Sequence, residues 1–384
     1  MKAADSSAET RAPRVLFAGG GTGGHLFPGI AVARALVRRH RRAQVVFAGT
    51  GRGIEARVLA LEGFRFEPIR SAGLVGKSPG AIARTAVLAP LTLFDAARVL
   101  HRARPDLVIG LGGYSAGPVV LLAAFAGRST MLMEQNAVPG MTNRMLAPFV
   151  EAAAVSFEAT TSCFGAGAFV SGNPVREGFF AAARVDRAGR SGPPTLLVLG
   201  GSQGAHRLNV ALVAAAGALA AMPRGIRVIH QTGERDRDRV RDAYRRAGLD
   251  ACVQAFFEKL HEEMRAADVV VCRAGATTLA EVAAAGLPAV IVPLPTAAND
   301  HQRRNAAALA AAGAAEVIEE ADLDRRLVPR LTALAGDGGR RAAMAAAAAR
   351  LAKPDATDKI VRRAEQLMGH VGAVAGGERR GAAP

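Results

Sequence analysis

The chain has 384 residues, half of them apolar, and carries 49 Lys and Arg against 33 Asp and Glu, a formal net charge of +16. That length admits two domains with separate cores, and the apolar fraction excludes a disordered chain. The charge suggests an anionic partner, or else a compositional bias that leaves Arg on solvated helix faces. With no zinc-finger spacing and no interleaved aromatic and basic residues, nucleic acid is set aside, which leaves a membrane surface or a phosphorylated substrate.

Residues 1–12 contain no apolar run and read as a disordered tail. Short apolar segments then alternate with Ala/Leu/Arg segments of helical period. Strands are predicted at 14–18, 44–48, 107–109 and 130–134, then at 195–199, 227–230, 253–256, 269–272 and 289–292. Helices such as 28–39 and 208–221 separate them. Continuous apolar strands alternating with helices specify parallel sheets covered on both faces. The pattern restarts at Thr195 after a Pro/Gly-rich stretch. The fold class is therefore α/β, with two Rossmann-like domains, 13–173 and 174–355, and a hinge between Asn173 and Pro194. A last helix, 356–369, could pack back on the first domain, and 370–384 reads as a second disordered tail. No window holds the ~18 uninterrupted apolar residues of a membrane span. Cys163, Cys252 and Cys272 form no CxxC pair, which argues against a disulfide framework or zinc site and fits a reducing cytosol.

Three Gly-rich turns follow predicted strands. The first, Ala18 to His25, matches GxGxxG at Gly19, Gly21 and Gly24, but the second strand ends Phe47-Ala48-Gly49-Thr50 with no carboxylate to hold a ribose. The dinucleotide reading fails there. What remains is a backbone that can approach phosphate closely at a helix N-terminus. His25 stands at that entrance, where an imidazole can accept a proton or contact a diphosphate; capping or packing is its plainer role. The second turn, Gly110 to Pro118, contains Gly113, Tyr114 and Ser115, and the third, Gly200 to His206, contains Ser202. One such turn can be a simple strand-to-helix connection. Three in two domains suggest that more than one phosphate group is held; a nucleotide diphosphate and a second diphosphate-bearing substrate would satisfy that count, with Gly21, Gly113, Tyr114 and Ser115 as the candidates for the second diphosphate.

A further strand leads into Cys272–Pro288. Thr278 and Glu281 have capping-box spacing, so Glu281 either satisfies backbone donors or accepts hydrogen bonds from ribose hydroxyls. Gln302 and Asn305 follow as candidate contacts to sugar hydroxyls. Two DxD tripeptides, Asp236–Asp238 and Asp322–Asp324, lie in charged helical contexts and read as surface residues. Neither a metal nor another cofactor is expected.

Taken in order, GGTGGHLFPGIAVA, GLGGYSAGP, EQNAVPGMTN, GNPVR, GGSQGA, CRAGATTLAE and DHQRRNA, spread over about 14–315, resemble the UDP-N-acetylglucosamine:N-acetylmuramyl-(pentapeptide) pyrophosphoryl-undecaprenol N-acetylglucosamine transferases. The resemblance implies a GT-B fold, two Rossmann-like domains facing a cleft, and inverting transfer of N-acetylglucosamine from UDP-GlcNAc to lipid I, giving lipid II. It places Thr22, Gly23, Gly24 and Asn136 near the transferred sugar or the acceptor. It puts Arg176, Ser202, Phe257, Ala276, Thr277, Thr278, Leu279, Ala280, Glu281 and Gln302 on the UDP-sugar. At 257 the family often carries an aliphatic residue that meets uracil through its backbone. At 277 other members have Leu. His25 is the first choice of base and Glu134 the fallback.

The segment Gly73–Pro105 mixes Leu74, Ile82, Leu88, Leu91 and Phe94 with Lys77 and Arg84. An apolar patch rimmed by basic residues suits an anionic membrane surface; burial against the first sheet is the alternative. The resemblance favours the membrane, since its acceptor is a polyprenyl diphosphate, and implies a peripheral protein on the cytoplasmic face of the bacterial inner membrane. Rivals are a UDP-GlcNAc 2-epimerase, which shares the nucleotide half, and a non-catalytic nucleotide-sugar-binding membrane scaffold.

Overall fold

The computed structural model describes residues 11–51, 54–71, 79–183, 192–201 and 204–377, of which 79–87 and 370–377 are described by their backbone. Leu74, Lys77 and Ser202 lie outside the described residues, as do the side chains of Ile82 and Arg84.

The first sheet contains β1 (Arg14–Gly19), β2 (Gln44–Gly49), β3 (Arg65–Pro68), β4 (Leu107–Gly112), β5 (Ser129–Glu134), β6 (Ala152–Val155) and β7 (Ala168–Val170). The second contains β8 (Thr195–Leu199), β9 (Arg227–Gln231), β10 (Ala251–Gln254), β11 (Val269–Cys272), β12 (Ala289–Ile291) and β13 (Ala315–Val317). Their orders are β3-β2-β1-β4-β5-β6-β7 and β10-β9-β8-β11-β12-β13. Every pairing is parallel.

The central strands read as apolar runs because alternate residues face opposite helical layers. In β1, Val15 and Phe17 pack under helix Gly23–Arg39, while Leu16 and Ala18 pack on Ala96, Val99 and Val119. In β8, Leu196 and Val198 meet one layer and Leu197 and Leu199 the other. Truncating any of these buried leucines to Ala should cost about 2–5 kcal/mol.

The chain crosses to the second sheet after β7. Phe179 and Ala182, on helix Glu177–Ala182, already belong to the second core, so the chain has reached the second domain by Glu177. The C-terminal helix, Ala356–Gly377, runs past the predicted end at 369. It returns to the first domain, where Ile360, Val361, Ala364 and Leu367 enter the core. Glu365 accepts from Arg39 Nη1 at 3.2 Å and pairs with His40 Nε2 at 2.9 Å. The outgoing and returning connections run together: a Cβ on Gly172 would stand 2.6 Å from the Lys353 side chain. Arg11, within the segment read as a disordered tail, pairs with Asp106 at 2.8 Å.

Candidate functional site

In each sheet the strand order reverses at one point, between β1 and β4 and between β8 and β11. Parallel α/β sheets open a crevice at such reversals, beyond the carboxyl ends of the strands. The three Gly-rich turns lead out of β1, β4 and β8, and the segment Cys272–Pro288 leads out of β11.

The first two turns touch through backbone. Gly19 has φ +99°, and a Cβ there would stand 2.2 Å from Gly112 O, so no other residue fits. Gly20 N–H donates to Gly112 O at 3.4 Å, and Gly113, at φ +80°, lies over Gly20 O. The Gly21 amide, expected to face a diphosphate, donates instead to Glu55 Oε1 at 3.2 Å. His25 N and Leu26 N donate to Thr22 O at 3.2 and 3.1 Å, so the amides available to an anion at the start of helix Gly23–Arg39 are those of Gly23 and Gly24, which take no side-chain cap from Thr22. Tyr114 is exposed and Ser115 buried.

His25 sits over Gly112, whose Cβ would be 3.1 Å from the imidazole Cε1. Its Nδ1 is 2.9 Å from Gln135 Oε1. An Nδ1–H donating to that carbonyl leaves the lone pair on Nε2, the arrangement a proton acceptor needs. Gln135, which the sequence reading missed, is buried, and its Nε2 has no hydrogen-bond partner among the described residues.

Glu134 is different. Its Oε1 accepts from Asn136 N at 3.0 Å and Asn136 Nδ2 at 3.2 Å; Oε2 accepts from Gly140 N at 3.0 Å and Asn143 Nδ2 at 2.9 Å. Four donors saturate a buried carboxylate, so Glu134 braces its loop, and this geometry is against the fallback role as base. Asn136 is also committed at both ends, its Oδ1 accepting from Asn305 Nδ2 at 3.3 Å. Asn305 is fully buried, takes Ala137 N–H at 3.0 Å and donates to Ala274 O at 3.1 Å. These two asparagines tie the domains together rather than offering free amides to a sugar.

In the second domain, Gly204 (φ +79°) passes so close to Thr232 O that a Cβ would be 2.3 Å away. Gln231 Nε2 donates to Gly201 O at 3.1 Å and Gln231 Oε1 accepts from Phe257 N at 3.0 Å. Phe257 is a core residue with its N–H committed within the protein, so an N–H contact to uracil would require Gln231 to move. Asp236 corrects the surface reading: it is buried and accepts from His206 and from Asn209 Nδ2, both at 2.9 Å. Asn209 continues to His230 and Tyr244 beneath the third turn.

Helix Ala276–Ala284 begins after Gly275, with no side-chain cap, so its first-turn amides are open and the capping box does not form. Leu279 is buried in the core, which limits it to backbone contact; Ala280 is half-buried. Glu281 is buried and accepts from Arg176 Nη2 at 3.2 Å. Burial pushes its carboxyl pKa up, and the Arg176 charge opposes that. The Arg176 guanidinium lies 4.3 Å from the Phe27 ring and 5.0 Å from Phe179, reaching from the second domain to the first. Gln302 Oε1 accepts from Ala274 N at 3.2 Å and Leu294 N at 3.0 Å, which orients its NH₂. Asn299 and Asp300, just before it, hold left-handed backbone, a strain these residue types tolerate and that gathers at functional loops.

The helix mouths of the two domains meet. Thr277 Oγ1 donates to Gly24 O at 2.6 Å and accepts from Asn173 Nδ2 at 3.1 Å. Arg57 pairs with Glu258 along the same boundary.

Two Rossmann-like domains with their switch points opposed across one cleft define the GT-B architecture. The chain belongs to glycosyltransferase family 28, whose N-terminal domain matches residues 15–155 and C-terminal domain residues 195–360. It is 44% identical over 375 residues, 97% of this chain and 98% of the relative, to a UDP-N-acetylglucosamine–N-acetylmuramyl-(pentapeptide) pyrophosphoryl-undecaprenol N-acetylglucosamine transferase from Anaeromyxobacter sp. strain Fw109-5. A protein of the same name from Desulfotalea psychrophila is 44% identical, with 94% of this chain and 98% of the relative covered. Among solved structures, MurG from Acinetobacter baumannii is similar with a TM-score of 0.70 and 31% identity, covering 92% of this chain and 99% of that one.

Proposed function

We infer that this chain transfers N-acetylglucosamine from UDP-GlcNAc to the muramyl sugar of lipid I, inverting the anomeric centre and producing lipid II. The observation that carries the reading is the junction at Thr277 and Gly24, where an open helix N-terminus from each domain borders one cleft. The names of the full-length relatives fit this donor and acceptor.

The chemistry follows from the positions. His25 Nε2 takes the proton of the acceptor hydroxyl, with Gln135 fixing the ring through Nδ1. The freed oxygen attacks the anomeric carbon from the face opposite the diphosphate. The bond from that carbon to the phosphate oxygen breaks, and its electron pair leaves with UDP. The mouth of helix Ala276–Ala284 and Arg176 meet the growing negative charge on the leaving diphosphate. Glu281 receives the ribose hydroxyls and Gln302 Nε2 a sugar hydroxyl. The acceptor's diphosphate lies at the mouth of helix Gly23–Arg39 and the Gly113–Ser115 turn.

Membrane docking belongs to the same proposal. On helix Pro79–Ala103, Ala96 and Val99 enter the core while Leu91, Leu93 and Phe94 are exposed. Phe125, Met141, Met145 and Phe149 add exposed apolar surface on the helices that follow, with Phe125 and Phe149 stacked edge to face at 5.8 Å. Exposed Arg102, Arg128 and Arg144 accompany them. No helix among the described residues is long and apolar enough to cross a membrane. An apolar patch with cationic companions suits peripheral attachment to anionic lipid, on the leaflet where lipid I presents its sugar.

The test is incubation with radiolabelled UDP-GlcNAc and a short-chain lipid I analogue. Label should appear in the analogue as a β-linked disaccharide. Consumption of the donor without transfer, or its conversion to an epimer, would contradict the reading.

A further inference from the structure

Glu55 is 1% exposed and has no cationic partner among the described residues, yet its carboxylate sits directly behind the first Gly-rich turn. Oε1 accepts from Gly21 N at 3.2 Å; Oε2 accepts from Gly51 N at 2.9 Å and Thr50 Oγ1 at 3.3 Å. The two amides can only donate and the Thr50 hydroxyl can donate as well, a set that favours the ionised carboxylate, while burial pushes its pKa up. The surroundings are shaped to admit it. A Cβ on Gly49 would stand 2.0 Å from Oε1, and one on Gly20 2.5 Å from the same atom. Gly49 has no left-handed backbone, so the carboxylate itself is what requires glycine there. The neighbouring Ile54 packs on Gly23, whose Cβ would be 3.3 Å from Ile54 Cδ1. Glu55 thus joins the end of β2 and the start of helix Glu55–Leu61 to the turn that presents Thr22, Gly23, Gly24 and His25.

The second strand ends without the carboxylate that a dinucleotide-binding domain would turn outward to a ribose. Here a carboxylate reaches the same sheet end from the following helix and turns inward, to the protein's own amides. We propose that Glu55 is the positioning residue of the acceptor half-site: by holding the Gly21 amide it fixes the turn in the one arrangement that aims the next amides at the acceptor's diphosphate and His25 at its hydroxyl. The proposal rests on the reading that this domain receives the acceptor.

Glu55→Gln keeps the shape but sets an NH₂ group against backbone donors. Gly49→Ala leaves Glu55 in place and displaces its carboxylate. Both variants should lose about 10- to 100-fold in kcat/KM for the short-chain lipid I analogue, the value of one charge-assisted hydrogen bond transmitted to the site. Affinity for UDP-GlcNAc by titration calorimetry should fall much less than this, since Glu55 reaches the donor half-site only through Gly24 O, which accepts from Thr277. Amide hydrogen exchange over residues 20–24 should accelerate in both. A purely structural role would instead lower the melting temperature and the active fraction, with both substrates affected alike; that pattern overturns the proposal. So does unchanged acceptor kinetics or unchanged exchange in variants whose parent turns over normally. A parent protein that transfers no sugar overturns the underlying reading, and the exchange measurement then judges separately whether Glu55 holds the turn.

Discussion

Replacing Glu281 by Ala sets two effects against each other, so the sign of the result is informative. The carboxylate accepts from Arg176 Nη2 at 3.2 Å and is otherwise enclosed by protein. If it also receives two ribose hydroxyls, each bond is charge-assisted and contributes about 1.5–3 kcal/mol, so about 3–6 kcal/mol of gross donor binding is removed. In the other direction, the loss frees Arg176, whose side chain is 21% exposed, to pair more fully with the diphosphate. A partly solvated ion pair returns about 1 kcal/mol. The ribose term wins by at least about 2 kcal/mol, a rise of about 30-fold in KM for UDP-GlcNAc, while KM for the acceptor changes by less than about twofold. Initial rates with each substrate varied at saturation of the other measure both numbers. Urea unfolding shows whether the protein remains folded, since Arg176 already has a buried Nε without a partner among the described residues. A folded variant with unchanged or lower donor KM would refute the ribose role of Glu281.

His25→Ala should lower kcat by about 10²- to 10⁴-fold with little change in either KM, and Gln135→Ala should lower kcat less, because the ring keeps its base but loses its orientation; steady-state kinetics separates the two. Thr277→Val deletes the bonds to Gly24 O and from Asn173 Nδ2, neutral bonds of about 1 kcal/mol each, and should move the urea midpoint down accordingly. Burial holds the His230 pKa down at about 3, below its ordinary 6.5. The unfolded chain therefore binds the proton first, and the neutral imidazole's stability contribution, complete above pH 6.5, is lost as the pH falls toward 3. His230→Gln should flatten that dependence in urea midpoints measured across the range. Phe94→Asp with Phe125→Asp should weaken sedimentation with anionic vesicles and leave UDP-GlcNAc affinity unchanged.

What the sequence discloses are features written in neighbouring residues. The Gly-rich turns, the restart at Thr195 and most central strands are legible because each is a local pattern of apolar runs and glycines. The short strands β3, β6, β7 and β13 were missed: Ala152–Val155 reads AAAV, which has no β-branched signal until its last residue. The site is harder because its connections are distant. His25 meets Gln135 across 110 positions, and Thr277 meets Gly24 across 253. Spacing could not show that Glu134 would be saturated by its own loop, nor that Asn136 and Asn305 would bind each other. Asp236 looked like surface because its charged neighbours, Arg235 and Arg237, are polar; one inward turn of the helix start hides it. Glu55 carries no motif, but the unexplained glycines at 20 and 49 hold its imprint.

The central claim is that open helix N-termini of both domains serve one cleft that takes two diphosphates at once. A crystal structure of the protein with UDP and a short-chain lipid I analogue measures this directly. The account predicts the UDP diphosphate at the start of helix Ala276–Ala284, the acceptor diphosphate at the start of helix Gly23–Arg39, and the muramyl hydroxyl within hydrogen-bonding distance of His25 Nε2. An acceptor seated on another face of the first domain, with these amides left to solvent, would contradict it.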